Sequence, residues 1–273
     1  TRRCDRLLSV VVRMGVRACG GSVRWKKSRA PTLAAVLACA VMARSLAQPA
    51  SGPPLADTLV GGSKPERFLF FSGVDLWRNG QAGYDGMMLA PQGDLNKDGF
   101  LIRLFMSDDF ERYDTPTQHF TTNIFRASVL PGWRVKRGNV EIKVFAGPAL
   151  ESHALKPDVP TDKLRGSNFG ARIATELWWE PTPAMMVAAA ASATTIGSGY
   201  SARAAAGWRL WDRFWIGPEI AASADEYSTQ YRIGAHLTGF KTGPVEWSVG
   251  AGYLEDSFDR NGIYGRIGVL FRK

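Results

Sequence analysis

From Arg67 to Lys273, apolar and polar residues alternate along the chain. At 169–180 one parity reads Phe169, Ala171, Ile173, Thr175, Leu177 and Trp179; the other reads Gly170, Arg172, Ala174, Glu176, Trp178 and Glu180. Successive side chains of a β-strand point to opposite faces, so such a segment has one apolar face and one charged face. The pattern recurs at 140–144, 200–209, 231–238, 245–253 and 263–271. Turn signals separate the runs, among them RNGQAG (78–83), GDLNKDG (93–99), KRGN (136–139), EPTP (180–183), IGSG (196–199), KTGP (241–244) and DRNG (259–262). The pattern predicts about twelve strands, near 67–77, 82–91, 99–112, 120–136, 139–153, 165–180, 184–195, 199–211, 213–224, 228–240, 244–256 and 261–273. Pro148 and Pro218 fall inside runs and predict bulges or bends, because proline donates no ladder bond.

One stretch resists this pattern. LWWEPTPAMMVAAAASATT, 177–195, is rich in alanine and methionine, which by intrinsic propensity favour helix. Its neighbours make it a strand end, a turn at 180–183 and a new strand. Met185, Val187, Ala189, Ala191 and Ala193 then share one face, and Ala190, Ser192 and Thr194 the other. A helix at 184–195 would overturn the register of the whole barrel.

Several runs exceed the ~5–6 residues of a common globular strand and match the ~9–11 that cross a bilayer at a tilt. Their even number suits a bacterial single-chain barrel with both ends periplasmic. The expected fold is all-β: an antiparallel up-and-down transmembrane β-barrel of about twelve strands behind a disordered N-terminal leader and linker. A soluble barrel or two-layer sandwich uses the same alternation with its faces reversed. Aromatic residues near alternate turns favour the membrane. Trp133, Trp178, Trp179, Trp208, Trp211, Trp215, Phe240 and Trp247 border the turns at 137–139, 180–184, 211–213 and 241–244, as a periplasmic interfacial girdle would. The other parity then faces the lumen. It carries Asp75, Arg103 and Arg126 in the first strands and Glu141, Lys143, Arg172 and Glu176 in the middle ones. Arg203, Arg209, Glu219, Arg232, Glu246 and Arg266 complete it. Arginine in place of lysine suits multidentate pairing in a confined space.

Composition changes the picture in one respect. The formal charge of +9 suggests a nucleic-acid partner, but residues 1–47 hold ten basic residues against Asp5 alone. The remaining 24 basic and 24 acidic residues balance, leaving no basic patch for phosphates. Cys4, Cys19 and Cys39 lie in the same leader. RWKKSRAPTLAAVLACAVMARSLAQPA joins a basic region, an apolar stretch near 33–43 and the small-x-small site Ser45-Leu46-Ala47. These are the parts of a secretory signal peptide. Met14 is the expected start, 48–66 a flexible linker and 67–273 one domain.

Candidate chemistry is sparse. His119, His153 and His236 are scattered and lack metal-ligand spacing. GDLNKDG resembles an acidic Ca²⁺ loop, but the twelfth position from Asp94 is Phe105 where a glutamate is needed. No G-x-S-x-G elbow occurs. No cofactor, metal or catalytic residue is therefore expected. The lumen charges read either as a polar conduit or glucan-contacting surface, or as a neutralised filling of a narrow barrel; the filling is favoured. Trp77, Tyr84 and Tyr113 fall toward the outer end, where aromatic faces anchor at an interface or stack on sugars.

GVDLWRNG, LWWEPTPA, AAAGWRLWDRFWIGPEI, RIGAHLTG, EWSVGAGYLEDS and GIYGRIGVLFRK resemble, in that order, the cellulose biosynthesis protein BcsS family of alphaproteobacteria. The resemblance covers roughly 67–273. It implies an accessory of bacterial cellulose production in a secretion context; together with the leader and the strand pattern this gives an outer-membrane protein with lipid around it and cellulose synthase components or glucan as expected partners. The resemblance implies no catalytic residue. A solute- or glucan-conducting pore and a lipid- or glycan-modifying enzyme are the alternatives.

Overall fold

The computed structural model describes residues 65–114 and 118–273. The expected signal peptide and nearly all of the expected linker lie outside the described residues. Twelve strands follow in order: β1 (Phe68–Trp77), β2 (Gly80–Leu89), β3 (Gly99–Asp114), β4 (His119–Arg137), β5 (Val140–Lys156) and β6 (Gly166–Thr182). Then come β7 (Met185–Thr194), β8 (Tyr200–Leu210), β9 (Phe214–Ala224), β10 (Thr229–Thr242), β11 (Val245–Asp256) and β12 (Asn261–Arg272). Each pairs antiparallel with its sequence neighbours, and β12 pairs with β1 to close the barrel. The alanine-rich stretch is a strand, so tertiary pairing overrides helix propensity there. The prolines interrupt ladders without the register shift that a bulge would give. Pairing between β4 and β5 lapses from Ser128↔Ala149 to Gly132↔Phe145, around Pro131 and Pro148, and resumes in the same register. Pairing between β8 and β9 lapses likewise at Pro218. A bulge in β10 leaves Gly239 at φ 86, a conformation open to glycine.

Ion pairs identify the interior. Arg232 on β10 donates to Asp75 on β1 at 2.7 Å, and Arg103 on β3 to Glu176 on β6 at 2.7 Å. These strands are not neighbours, so the side chains meet only across the lumen. The charged parity therefore points inward and the apolar parity outward, the reverse of a soluble barrel. Val74, Leu104, Met106, Val129, Ile173, Ile220, Ile233 and Ile267 form an exposed apolar band. Phe125, Phe169, Tyr200, Tyr231 and Tyr253 border it above. Below, at the end where β1 begins and β12 finishes, lie Phe70, Phe100, Trp133, Trp208, Trp211 and Phe240. Aromatic rows on both edges of an apolar band are what the two interfaces of a bilayer select. The lower end has mostly two- or three-residue turns, as periplasmic ends do.

Two girdle expectations are corrected. Trp178 and Trp215 lie on the inward parity; Trp215 is 6% exposed and packs edge-on against Trp178 at 6.4 Å. The indole Nε1–H of Trp178 donates to Glu180 at 2.9 Å, which gives this inward ring a polar partner. Trp133, Trp208 and Trp211 are exposed, and Trp179 and Trp247 share the outward parity.

One outward position breaks the band. Asp85 sits mid-strand between Ser72 and Met106 in the ladder and is exposed. The other charges on this parity lie outside the band: Asp108 is level with Phe125 of the upper aromatic row, and Arg112, Asp114, Arg137 and Glu255 fall near strand ends.

The connection between β2 and β3 turns under the barrel. Leu95 is buried, its N–H bonds Glu66 O at 2.7 Å, and Arg134 donates to its carbonyl. Asp98 accepts from Arg137 and from the Lys136 N–H, at 2.6 Å for the latter. The Arg137 bond, then the Lys136 N–H, hold the Asp98 carboxyl below the usual carboxylate range.

Three outcomes test this architecture. Ile220→Arg is expected to destabilise the folded barrel by about 2–4 kcal/mol, the cost of a cation at the bilayer midplane, measured by urea titration in liposomes. Asp85→Leu is expected to raise the urea midpoint in the same assay. The clamp at Asp98 contributes fully above the unfolded carboxylate pKa and is lost as pH falls through its lowered folded value. Limited proteolysis should therefore cut 91–98 faster in acid, and Asp98→Asn should cut equally fast at neutral pH.

Candidate functional site

Inward positions of β1, β3–β6 and β8–β12 supply the lumen charges, because the period-two pattern puts them all on one wall. In the lower half Glu176 accepts from Arg103 at 2.7 Å and Lys143 at 3.3 Å. Lys143 also meets Glu141 at 3.1 Å, which pairs with Arg134 at 2.6 Å. In the upper half Glu219 is the hub. It accepts from Arg203 at 2.7 Å, Arg266 at 2.8 Å and the Tyr264 hydroxyl at 2.9 Å. Arg232 pairs with Asp75 and also donates to Gln230 at 2.8 Å. Arg126 meets Asp109 and, at 3.5 Å, Glu151. Charge-assisted bonds of this kind are the strong ones, and buried carboxylates need them.

Three expected residues stay outside these groups, Arg172 bonding only the Ser192 hydroxyl at 3.0 Å. Arg209 lies lower, 3.8 Å from Glu180 and 4.3 Å above the Trp215 ring. Glu246 faces Lys241 near the lower end of β11. The sequence reading missed Tyr264, Arg134, Asp109 and Glu151. All four lie on the polar parity of their runs, so extending the alternation would have found them. It also missed Arg260, which joins Glu111 at 2.5 Å to Asp256 at 2.7 Å near the upper rim. Arg260 sits in a turn, where no parity applies.

Apolar side chains are interleaved with the lower of these charges, Arg134 and Lys143 lying one inward step below Leu101 and Phe145. Leu69, Met88, Leu95, Leu101, Leu130 and Phe145 form one buried cluster, with Phe71 and Leu270 packed on it. Phe145 is 0% exposed, and Leu101, Leu130 and Met186 are at most 2%. Side chains lining a water-filled channel would retain accessible surface. Trp178, Trp215 and Met186 fill the opposite side of the same level.

Above this floor lies a cavity of about 330 Å³. Its lining on β7–β10 and β12 comes from the upper halves of those strands, so it forms a cup in the outer half of the barrel. Above it, the connection 157–165 meets 225–228 through Tyr227 and Asp162 and through Lys163 and Glu226 at 3.1 Å. Burial, then the bond to Asp162, pushes the Tyr227 hydroxyl pKa up.

The histidines do not converge. His119 meets Asp114 at 2.5 Å on the exposed rim, and His153 meets Glu151 at 3.4 Å. His236 lies 3.0 Å from the Thr238 hydroxyl and 3.2 Å from Ala206 O. Among the described residues no histidine joins a hydroxyl to a carboxylate, and no cluster of potential metal ligands occurs.

Glu219→Gln would leave Arg203 and Arg266 facing one another with their shared charge gone. A loss of about 3–5 kcal/mol is expected, as when one partner of a buried pair is removed. Urea unfolding in detergent micelles measures it.

A search of the curated proteins finds no match. Among solved structures, an outer membrane channel from Pseudomonas putida F1 is similar at 6% identity and a TM-score of 0.53, over 78% of this chain and 97% of that one. The KdgM porin in complex with disordered oligogalacturonate is similar at 13% identity and a TM-score of 0.44, over 74% and 98%. LpxR from Salmonella typhimurium is similar at 9% identity and a TM-score of 0.44, over 74% and 99%. At such identities the first of these shows an outer-membrane barrel fold and nothing finer. The profile of the cellulose biosynthesis protein BcsS family matches residues 69–273. That match takes in all twelve strands but for Phe68, and the chain belongs to this family.

Proposed function

We propose that this barrel is a non-catalytic outer-membrane accessory of bacterial cellulose production, with a structural or interaction role and a lumen closed at its periplasmic end. Family membership supports the cellulose context. The observation that carries the non-conducting role is the apolar floor, where Leu101, Leu130, Phe145 and Met186 have almost no accessible surface. A pore for glucan needs a continuous polar path, and these side chains stand across it. The leader read as a signal peptide delivers the chain to the periplasm, and lipid surrounds the apolar band. Cellulose synthase components or the emerging glucan are its partners, reached from the mouth or the rims.

Deleting the coding sequence in a cellulose-producing host should reduce cell-surface cellulose while glucan synthesis by isolated inner membranes persists. Restoration by the intact chain, with recovery in the outer-membrane fraction, supports the reading. In planar bilayers the purified protein should show no steady conductance. Steady channels from the unmodified protein would replace this reading with a pore, and soluble recovery after osmotic shock would remove the membrane role.

A further inference from the structure

We propose that the cup in the upper half of the barrel binds a compact oxyanion, a carboxylate or phosphate carried on a hydroxylated body of monosaccharide size. The proposal rests on the closed, outward-facing lumen described above and not on the cellulose role.

The cavity owes its existence to small residues. Ala190, Ser192, Ser201, Ala221 and Ser223 line it where neighbouring strands carry long side chains. Its volume of about 330 Å³ lies at the small end of ligand pockets, roughly 300–1,000 Å³. Its walls are unbalanced in charge. Five arginines line it against three carboxylates, Asp75, Glu176 and Glu219. Arg203 and Arg266 share Glu219, while Arg103 and Arg232 take one acid each.

Arg172 is the remainder. Its Nη2 donates to Ser192 Oγ at 3.0 Å, and its guanidinium lies 5.2 Å from the centre of the Phe105 ring. Among the described residues it makes no ion pair. A half-buried cation with no carboxylate within 4 Å costs free energy that a bound anion offsets. Guanidinium forks match carboxylate and phosphate geometry.

A second observation points the same way. Asp75 Oδ1, Arg103 Nε, Arg203 Nε and Ser128 Oγ are buried without a hydrogen-bond partner in the protein, and all four residues line the cup. These atoms have almost no accessible surface, so they reach a ligand only where the side chains turn toward it; the two Nε–H groups would then donate to oxyanion oxygens and Asp75 Oδ1 accept from a hydroxyl. This mixture fits a hydroxylated anion. A neutral sugar would give Arg172 no contacting anion.

Isothermal titration calorimetry on the purified full-length protein in detergent tests this, with D-glucuronate, glucose 6-phosphate and glucose as probes. The first two separate a carboxylate source from a phosphate source. At least one of them should bind, with glucose weaker by about tenfold or more, the worth of a charge-assisted bond. Arg172→Gln should weaken anion binding by a similar factor without lowering the urea midpoint, because it removes an unpaired charge. Ala190→Phe, which fills the cup and leaves every arginine in place, should also abolish binding. Heat-modifiable migration confirms that each variant is folded. Glucose binding as tightly as the anions, no binding by any probe, or unchanged binding in both variants would overturn the proposal. A normal deletion phenotype would sink the cellulose role and leave this result untouched.

Discussion

Within hydrocarbon an unpaired peptide group costs several kcal/mol, so a sheet can cross a bilayer only if it has no edge. The pairing of β1 with β12, from Leu69↔Arg272 to Trp77↔Tyr264, meets that demand. Everything else follows from it. Once the sheet closes, each side chain must face either lipid or a narrow interior. The apolar parity takes the lipid. The charged parity is confined, and its members must neutralise one another at short range.

That confinement explains why the interior has two textures. At the lower end Phe145, Leu101 and Leu130 pack with Leu95 from the connection that turns underneath. Dispersion and burial hold this part together, with Arg134 tying the Leu95 carbonyl to Glu141 beside it. Higher up, arginines from several strands converge on few acids, and Glu219 collects donors from β8 and β12. Such a hub links strands far apart in sequence. It holds the walls at a fixed separation, which an apolar filling of variable rotamers would do less sharply.

Much of this was legible beforehand, because period-two alternation survives in every strand. It gave strand number, the inward charges and the strand at 184–195 against its helix propensity. The girdle was less secure. Trp178 and Trp215 were assigned by nearness to turns, although alternation puts Trp178 opposite Trp179. Parity is the stronger criterion, since it reflects where Cβ points and nearness reflects only depth. Cross-lumen partners were not legible. Asp75 and Arg232 are 157 positions apart, and nothing local in either stretch specifies their meeting. The folding of 90–98 beneath the barrel was hidden for the same reason. Its Asp98 reads as a turn residue until Arg137 is brought beside it.

The alanine-rich strand that looked least like a strand has the largest consequence for the interior. A closed barrel of this size tends to be filled by its own side chains. It stays filled wherever inward positions hold Phe, Leu, Met or arginine. Where β7, β8 and β9 turn alanine and serine inward, no long side chain fills the space beside the arginines, and a cavity remains. Small residues weaken a strand by removing cross-strand contacts. Their concentration on three consecutive strands, against the most cationic part of the lumen, therefore gives up packing in the one place where a polar cavity results.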